Sequence, residues 1–202
     1  MEGEDDIFEA VGAGELLAVT KLIDKHGVEI LDRRDEDSSS KPTPFIAAAT
    51  KGHVAIMKVM YDRYGPSILQ QRDIGDQTAL HWAAWGTKLA AVNQLLAWDP
   101  KLIDARDRTK RTAFHAAADH DAVDVMKAMC AIKGKDLLTE TDDNGDTALH
   151  VALTMGHLAA AAQLLEWGGP QLLEIKNDEG VTPWDMTAEK PKMRKAIEKY
   201  KQ

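Results

Sequence analysis

Cysteine is almost missing from this 202-residue sequence: Cys130 stands alone. One thiol excludes an internal disulfide and a cysteine-rich zinc site, and it agrees with a reducing, cytosolic or nuclear setting. Long apolar runs are missing too. No stretch approaches the ~20 residues that a membrane-spanning helix needs, and the opening MEGEDDIFEAVGAGELL is acidic where a secretory signal is basic. Positive charge is in deficit, with 25 Lys and Arg against 33 Asp and Glu for a net charge of −8. The broad positive field that draws proteins to DNA is therefore absent. Aromatic residues make up only 5%, yet 44% of the chain is hydrophobic, enough to build a core that buries roughly 70% of the unfolded chain's surface.

Catalytic and metal motifs are also lacking. There is no Gly-x-Ser-x-Gly, phosphate loop or zincin pattern. Asp142-Asp143-Asn144-Gly145-Asp146 begins like a calcium loop, but the bidentate Glu required at the twelfth place is Leu153. Gly12-Ala13-Gly14 begins like a dinucleotide fingerprint and fails at Leu17. No catalytic residue, cofactor or metal is expected.

What the sequence does have is a period. TPFIAAA, TALHWAA, TAFHAAA, TALHVAL and TPWDMTA start at Thr43, Thr78, Thr112, Thr147 and Thr182, spacings of 35, 34, 35 and 35 residues. Each Thr is placed to cap a helix, with Pro44 and Pro183 at the first helical position, where a missing N–H costs nothing. Runs of Ala follow, allowing helices to approach closely. A second helix is predicted after each, apolar at Val54, Met57 and Met60, at Leu89, Val92, Leu95 and Leu96, and at Leu158, Ala161, Leu164 and Leu165. Gly52 and Gly156 mark the reversal between the paired helices. Asp73, Asp107, Asp142 and Asn177 lie five residues before their Thr, in turn-rich segments. In the first copy that place is Ser38, inside a charged, Ser-rich connection, 32–41, expected to be mobile.

These segments resemble the ankyrin repeat over essentially the whole chain, most specifically in Thr-Ala-Leu-His at 78–81 and 147–150. The resemblance implies an all-α solenoid of about six stacked helix-turn-helix units with hairpin fingers. Its expected divisions are a starting cap at 1–38, full repeats at 39–73, 74–107, 108–142 and 143–177, and a closing cap at 178–202. The chain departs from the family at Ile46 and Asp185, which replace His, and at Lys41, Asp76 and Lys110, which replace the turn Gly. His81, His115 and His150 sit at one repeat position, so neighbouring copies lie about 10 Å apart, too far to share one metal. They are expected to bond backbone.

The family holds protein partners on its concave side, formed by fingers and first helices. Positions there that differ between this chain's own repeats are Ile74, Gln77 and Trp85, then Arg108, Arg111, Asp119 and His120, then Asp143, Asp146, Thr154 and Met155. Trp85 is the sharpest candidate, because an exposed Trp is enriched among interface hot spots. Trp98 and Trp167 divide between partner contact and packing on Pro-containing connections, while Trp82, Trp184 and Cys130 are assigned to the interior. The function implied is a non-enzymatic scaffold or adaptor, monomeric when free, with an assembly chaperone or regulatory subunit as the alternative. A small-molecule enzyme subunit is the alternative from another class. The oppositely charged ends, acidic at the start and basic over Lys190–Lys201, would suit self-association.

Overall fold

A computed structural model describes residues 6–201. The acidic segment 1–5, on which the self-association idea partly rests, lies outside the described residues. The described chain forms two compact units, one ending at Arg108 and the other beginning at Thr109. The first holds three helix pairs: α1 (Ile7–Ala13) with α2 (Leu16–His26), α3 (Pro44–Lys51) with α4 (Val54–Tyr64), and α5 (Ala79–Trp85) with α6 (Leu89–Trp98). The second holds α7 (Ala113–Asp119) with α8 (Val123–Lys133), α9 (Ala148–Met155) with α10 (Leu158–Gly168), and a final α11 (Pro191–Ile197). Within each unit first helices pack on first helices, and second helices pack on second helices. The interiors are buried Ala and Leu with larger plugs at Phe45 and Phe114.

The motif Thr explains where each repeat begins. Thr78, Thr112 and Thr147 cap α5, α7 and α9, and the His three residues on closes a reciprocal box. Its Nδ1 accepts the Thr N–H at 3.2, 3.3 and 3.1 Å. The two departures from His are each compensated. The Ile46 side chain offers Thr43 no acceptor, although its backbone N–H donates to Thr43 Oγ1 at 3.4 Å; the Thr43 hydroxyl donates instead to Gln71 Oε1 at 2.6 Å. Asp185 Oδ2 accepts from both the N–H and the hydroxyl of Thr182, at 3.2 and 2.7 Å. The helix predicted after Thr182 nonetheless shrinks to one 3₁₀ turn, Asp185–Thr187.

Asp and Asn recur before the Thr because the finger needs a side-chain acceptor aimed at two of its own amides. Asp142 Oδ1 accepts from Asn144 and Asp146 at 2.9 and 3.0 Å, and Asn177 Oδ1 takes the equivalent pair. The fingers are laddered: Ile74 N–H donates to Ser40 and Arg108 N–H to Gly75 in the first unit, Asp143 N–H to Thr109 and Asp178 N–H to Asn144 in the second. The expected mobile connection 32–41 is instead a hydrogen-bonded finger. Asp35 N–H reaches Pro42 O, whereas Asp73 N–H reaches Gln77 O. Three extra residues are thus accommodated in the first finger, and Asp35, rather than Ser38, holds the recurring acidic place.

Some predicted burial is overturned. Leu89 and Leu158, each the first residue of its second helix, are exposed. Trp82 and Trp184, assigned to the core, are half-buried. The Trp184 ring is met by the cations of Arg194 and Lys201, 4.3 and 4.0 Å from the ring centre.

Nine residues after each of the first four motif Thr residues the chain turns left-handed. Gly52 and Gly156 take φ 80° and 85°, but Thr87 and Asp121 take the same region at 56° and 53°. Asp121 is offset by function: its carboxylate caps α10 at the Ala160 N–H, 2.7 Å away. Thr87 is β-branched, a poor occupant of this region. Thr87→Gly should stabilise the protein by about 1 kcal/mol, raising Tm by about 2–4 °C. A calorimetric melt checks this, and Asp121→Gly should show no such gain.

Candidate functional site

On the finger side of the first unit an aromatic surface is built around Trp85, which is 44% exposed, and Ile74, 47% exposed. Trp85 meets Trp82 edge-on at 5.3 Å between ring centres. Trp82 is held from behind, since its Nε1 donates to Asp73 Oδ2 at 2.8 Å, and Asp73 Oδ1 accepts from Gly75 and Gln77. One buried carboxylate therefore shapes the finger and fixes a tryptophan at once. That role was invisible in sequence, where Asp73 counted only as a turn residue. Gln77 is half-buried beside it, and Arg108 lies at the finger tip, 3.8 Å from Asp76 and largely in solvent. A pocket of about 190 Å³ opens between Pro42, Ala47, Thr50, Lys51 and Trp82.

The second unit has a pocket at the same repeat positions with different chemistry. About 210 Å³ is lined by Arg111, Asp119, Asp142, Asp146, Val151, Thr154 and Met155. Arg111 Nη2 lies 3.6 Å from Asp119 Oδ2, and His120 Nε2 lies 3.8 Å from the same oxygen. Asp146 Oδ1 accepts from Asn177 Nδ2 at 2.8 Å. Met155, at the end of α9, is 52% exposed. Asp143 is exposed on its finger. The repeat alignment found Arg111, Asp119, Asp146, Thr154 and Met155. It missed Asp142, whose register hardly varies in type between repeats, and it missed Val151, although that register holds Ala47, Trp82, Ala116 and Met186 elsewhere.

Trp98 and Trp167 are separated from these residues. Trp98 stacks on Tyr61 at 4.3 Å and 5°, with Phe45 at 6.3 Å, on the second-helix side. Trp167 lines a pocket with Lys127, Cys130 and Lys135, again beside second helices. Cys130 is half-buried there, and burial pushes its thiol up to about 11, leaving negligible thiolate near neutral pH.

His115 and His150 are fully buried. Their Nδ1 atoms accept from Thr amides, so Nε2 carries the proton and donates to Glu140 O at 3.1 Å and Val181 O at 3.3 Å. Burial lowers both from their ordinary value. Among the described residues no group of three His, Cys, Asp or Glu could hold a metal ion, and no helix is long and apolar enough to cross a membrane.

A family model described as ankyrin repeats, in three copies, matches residues 7–104 and 86–175. The chain belongs to the ankyrin-repeat family. Repeats of this kind generally mediate protein–protein interaction. The SMC5-SMC6 complex localization factor protein 1 of Bos taurus is 34% identical over 110 residues, covering 54% of this ankyrin chain and 10% of the relative. A probable 26S proteasome regulatory subunit of Saccharomyces cerevisiae is 29% identical over 150 residues, covering 74% of this chain and 65% of the relative. The chain thus spans a tenth of the first and less than two thirds of the second. Among solved structures, one chain in the complex of a predatory endopeptidase from Bdellovibrio bacteriovorus with an immunity protein is similar at a TM-score of 0.75 and 27% identity, covering 96% of each chain. The fold of this chain is the all-α ankyrin-repeat solenoid.

Proposed function

We propose that this ankyrin chain is a non-enzymatic interaction scaffold that holds a protein partner on the fingers and first helices of its repeats. One observation carries the reading. Trp85 and Met155 are about half exposed at first-helix ends, where aromatic and methionine side chains make strong, adaptable anchors. Rigid elements present them, so little ordering entropy opposes binding. Trp85, Ile74, Gln77 and Arg108 serve in the first unit; Arg111, Asp119, His120, Asp143, Asp146, Thr154 and Met155 serve in the second. Trp98 and Trp167 contribute through packing. A cytosolic or nuclear location and a monomeric free state accompany this reading.

A second reading is a regulatory subunit or assembly chaperone of a larger complex. It is favoured by likeness to the yeast protein named as a proteasome regulatory subunit.

The partner captured by the wild-type chain should bind Trp85→Ala at least tenfold more weakly, the effect of truncating one interface anchor. Arg111→Glu should change the affinity as well, because Arg111 lines the second-unit pocket. Titration calorimetry with the purified partner measures both, and melting curves verify that each variant folds. Unchanged affinity in both variants would remove the reading.

A further inference from the structure

The pockets between consecutive repeats fall at one register in both units. They use residues one before and four, seven and eight after the motif Thr. In the first unit these are Pro42, Ala47, Thr50 and Lys51. In the second they are Asp146, Val151, Thr154 and Met155, joined by Arg111 and Asp119 of the preceding repeat and by Asp142. Repeat geometry sets the cavity, and sequence sets what it can hold.

In the second unit the lining combines an apolar wall with uneven charge. Val151 forms the floor, and half-exposed Met155 forms one side. Arg111 is directed at Asp119. The nearby Lys190 ammonium is committed to the carbonyls of Leu153 and Thr154, at 2.8 and 3.1 Å. His120 adds charge only when protonated. Asp142 and Asp146 each use Oδ1 within the fold. Their Oδ2 atoms accept no hydrogen bond among the described residues, leaving two carboxylates to complement an incoming cation. The volume, about 210 Å³, is below the ~300–1,000 Å³ of small-molecule sites. It suits one long side chain.

We propose that the pocket bounded by Asp142, Asp146, Val151 and Met155 receives a lysine or arginine side chain from the partner protein. The aliphatic stem lies on Val151 and Met155, and the cationic head meets the two carboxylates. This deepens the scaffold reading by naming the chemistry of the partner. The pocket at the same register in the first unit keeps one carboxylate, Asp35, but carries Lys51 where the second carries Met155 and Pro42 where it carries Asp146, so it should hold such a group far more weakly and serves as a control within the same molecule.

The test is an amide NMR titration of the full ¹⁵N-labelled chain with the peptide Ac-Gly-Leu-Lys-Leu-Gly-NH₂ and with versions carrying Arg, norleucine or Glu in place of Lys. The Lys and Arg peptides should shift Val151, Thr154 and Met155 while leaving Thr50 and Lys51 unmoved. Norleucine keeps the stem without the charge and should bind about tenfold more weakly; Glu should not bind. Asp142→Asn with Asp146→Asn keeps both Oδ1 acceptors, so the fold survives while the Lys peptide loses about tenfold in affinity. Equal binding of norleucine and Lys, shifts elsewhere on the surface, or full binding by the double variant would overturn the proposal. If partner capture depends on Trp85 and Arg111 but Lys peptides leave Val151 and Met155 unmoved, the scaffold reading stands and this pocket assignment falls. If the peptides map to the pocket while both groove variants bind the partner normally, the scaffold reading falls instead.

Discussion

Adding one methyl group at Gly86 should cost this protein about 2–3 kcal/mol and lower its melting temperature by about 5–10 °C. Gly86 follows α5 with an ordinary right-handed backbone, φ −72° and ψ 0°, so alanine meets no torsional objection there. The obstacle is space. A Cβ would stand 2.6 Å from the Thr50 carbonyl oxygen and 3.2 Å from that of Trp82. Both are backbone atoms, fixed by the helices they end, and neither can rotate away. Relief requires α3 and α5 to separate, and these are first helices packed through alanines. The same substitution at Gly12 should have the opposite sign. Gly12 is an exposed residue inside α1 with nothing within 4 Å of an added Cβ, and alanine there gains about 0.5–1 kcal/mol of helix propensity. Denaturant unfolding of the two variants beside wild type gives both signs. A Gly86→Ala protein as stable as wild type would mean that α3 and α5 do not pack this closely in solution.

The sequence revealed the parts of the fold that repeat and concealed the parts that compensate. A Thr every 34–35 residues marked the helix starts because a capping hydroxyl has one place to stand. The His three residues later was expected to bond backbone, and His115 and His150 do so through Glu140 O and Val181 O. Gln71 gave no comparable signal: it replaces a missing His from a different repeat, 28 residues away. The first finger was misaligned because three additional residues moved its acidic residue to Asp35. Arg72, whose Nη1 bonds both Asp76 O and Arg106 O at 2.7 and 2.8 Å, was overlooked although Arg106 recurs 34 residues on.

The candidate surface was legible by a similar division. Looking for variation between repeats finds side chains that differ at one register, and it found Trp85, Arg111 and Met155. It passes over Asp73 and Asp142, which hold their fingers together and also shape the neighbouring surface. Tryptophan position was ambiguous for a related reason. Trp82 and Trp85 are three residues apart and meet across one helix face, whereas the depth of Trp98 is set by Tyr61 in the preceding pair, a contact that depends on stacking.

Acidification from pH 7 to 5 should remove a larger share of stability than the surface charges account for. In the neutral tautomer His115 and His150 each tie a helix start to a neighbouring carbonyl, and a second proton would sit on the Nδ1 that accepts the Thr amide. Burial lowers both groups from 6.5; at His115 Asp142 opposes the shift and Arg111 adds to it, while Asp146 and Asp142 oppose it at His150. Above about 6.5 folded and unfolded chains are both neutral at these positions, and the full contribution is present. Below it the unfolded chain takes up protons that the folded chain refuses. Stability then falls with pH at a slope approaching about 1.4 kcal/mol per unit for each group, until the folded groups themselves titrate. Carboxylates act lower: hydrogen bonds from Thr182 hold the Asp185 carboxyl below its ordinary 3.8, so its contribution is present above that value and is lost only as pH falls further. The window between pH 6.5 and 5 therefore isolates the histidines. A His115→Gln, His150→Gln double variant keeps an acceptor for each capping box without a titrating ring. It should be less stable than wild type at pH 7.5 yet much flatter from 6.5 to 5, read by urea unfolding at half-unit steps. A double variant with the wild-type slope would show that the acid sensitivity originates elsewhere.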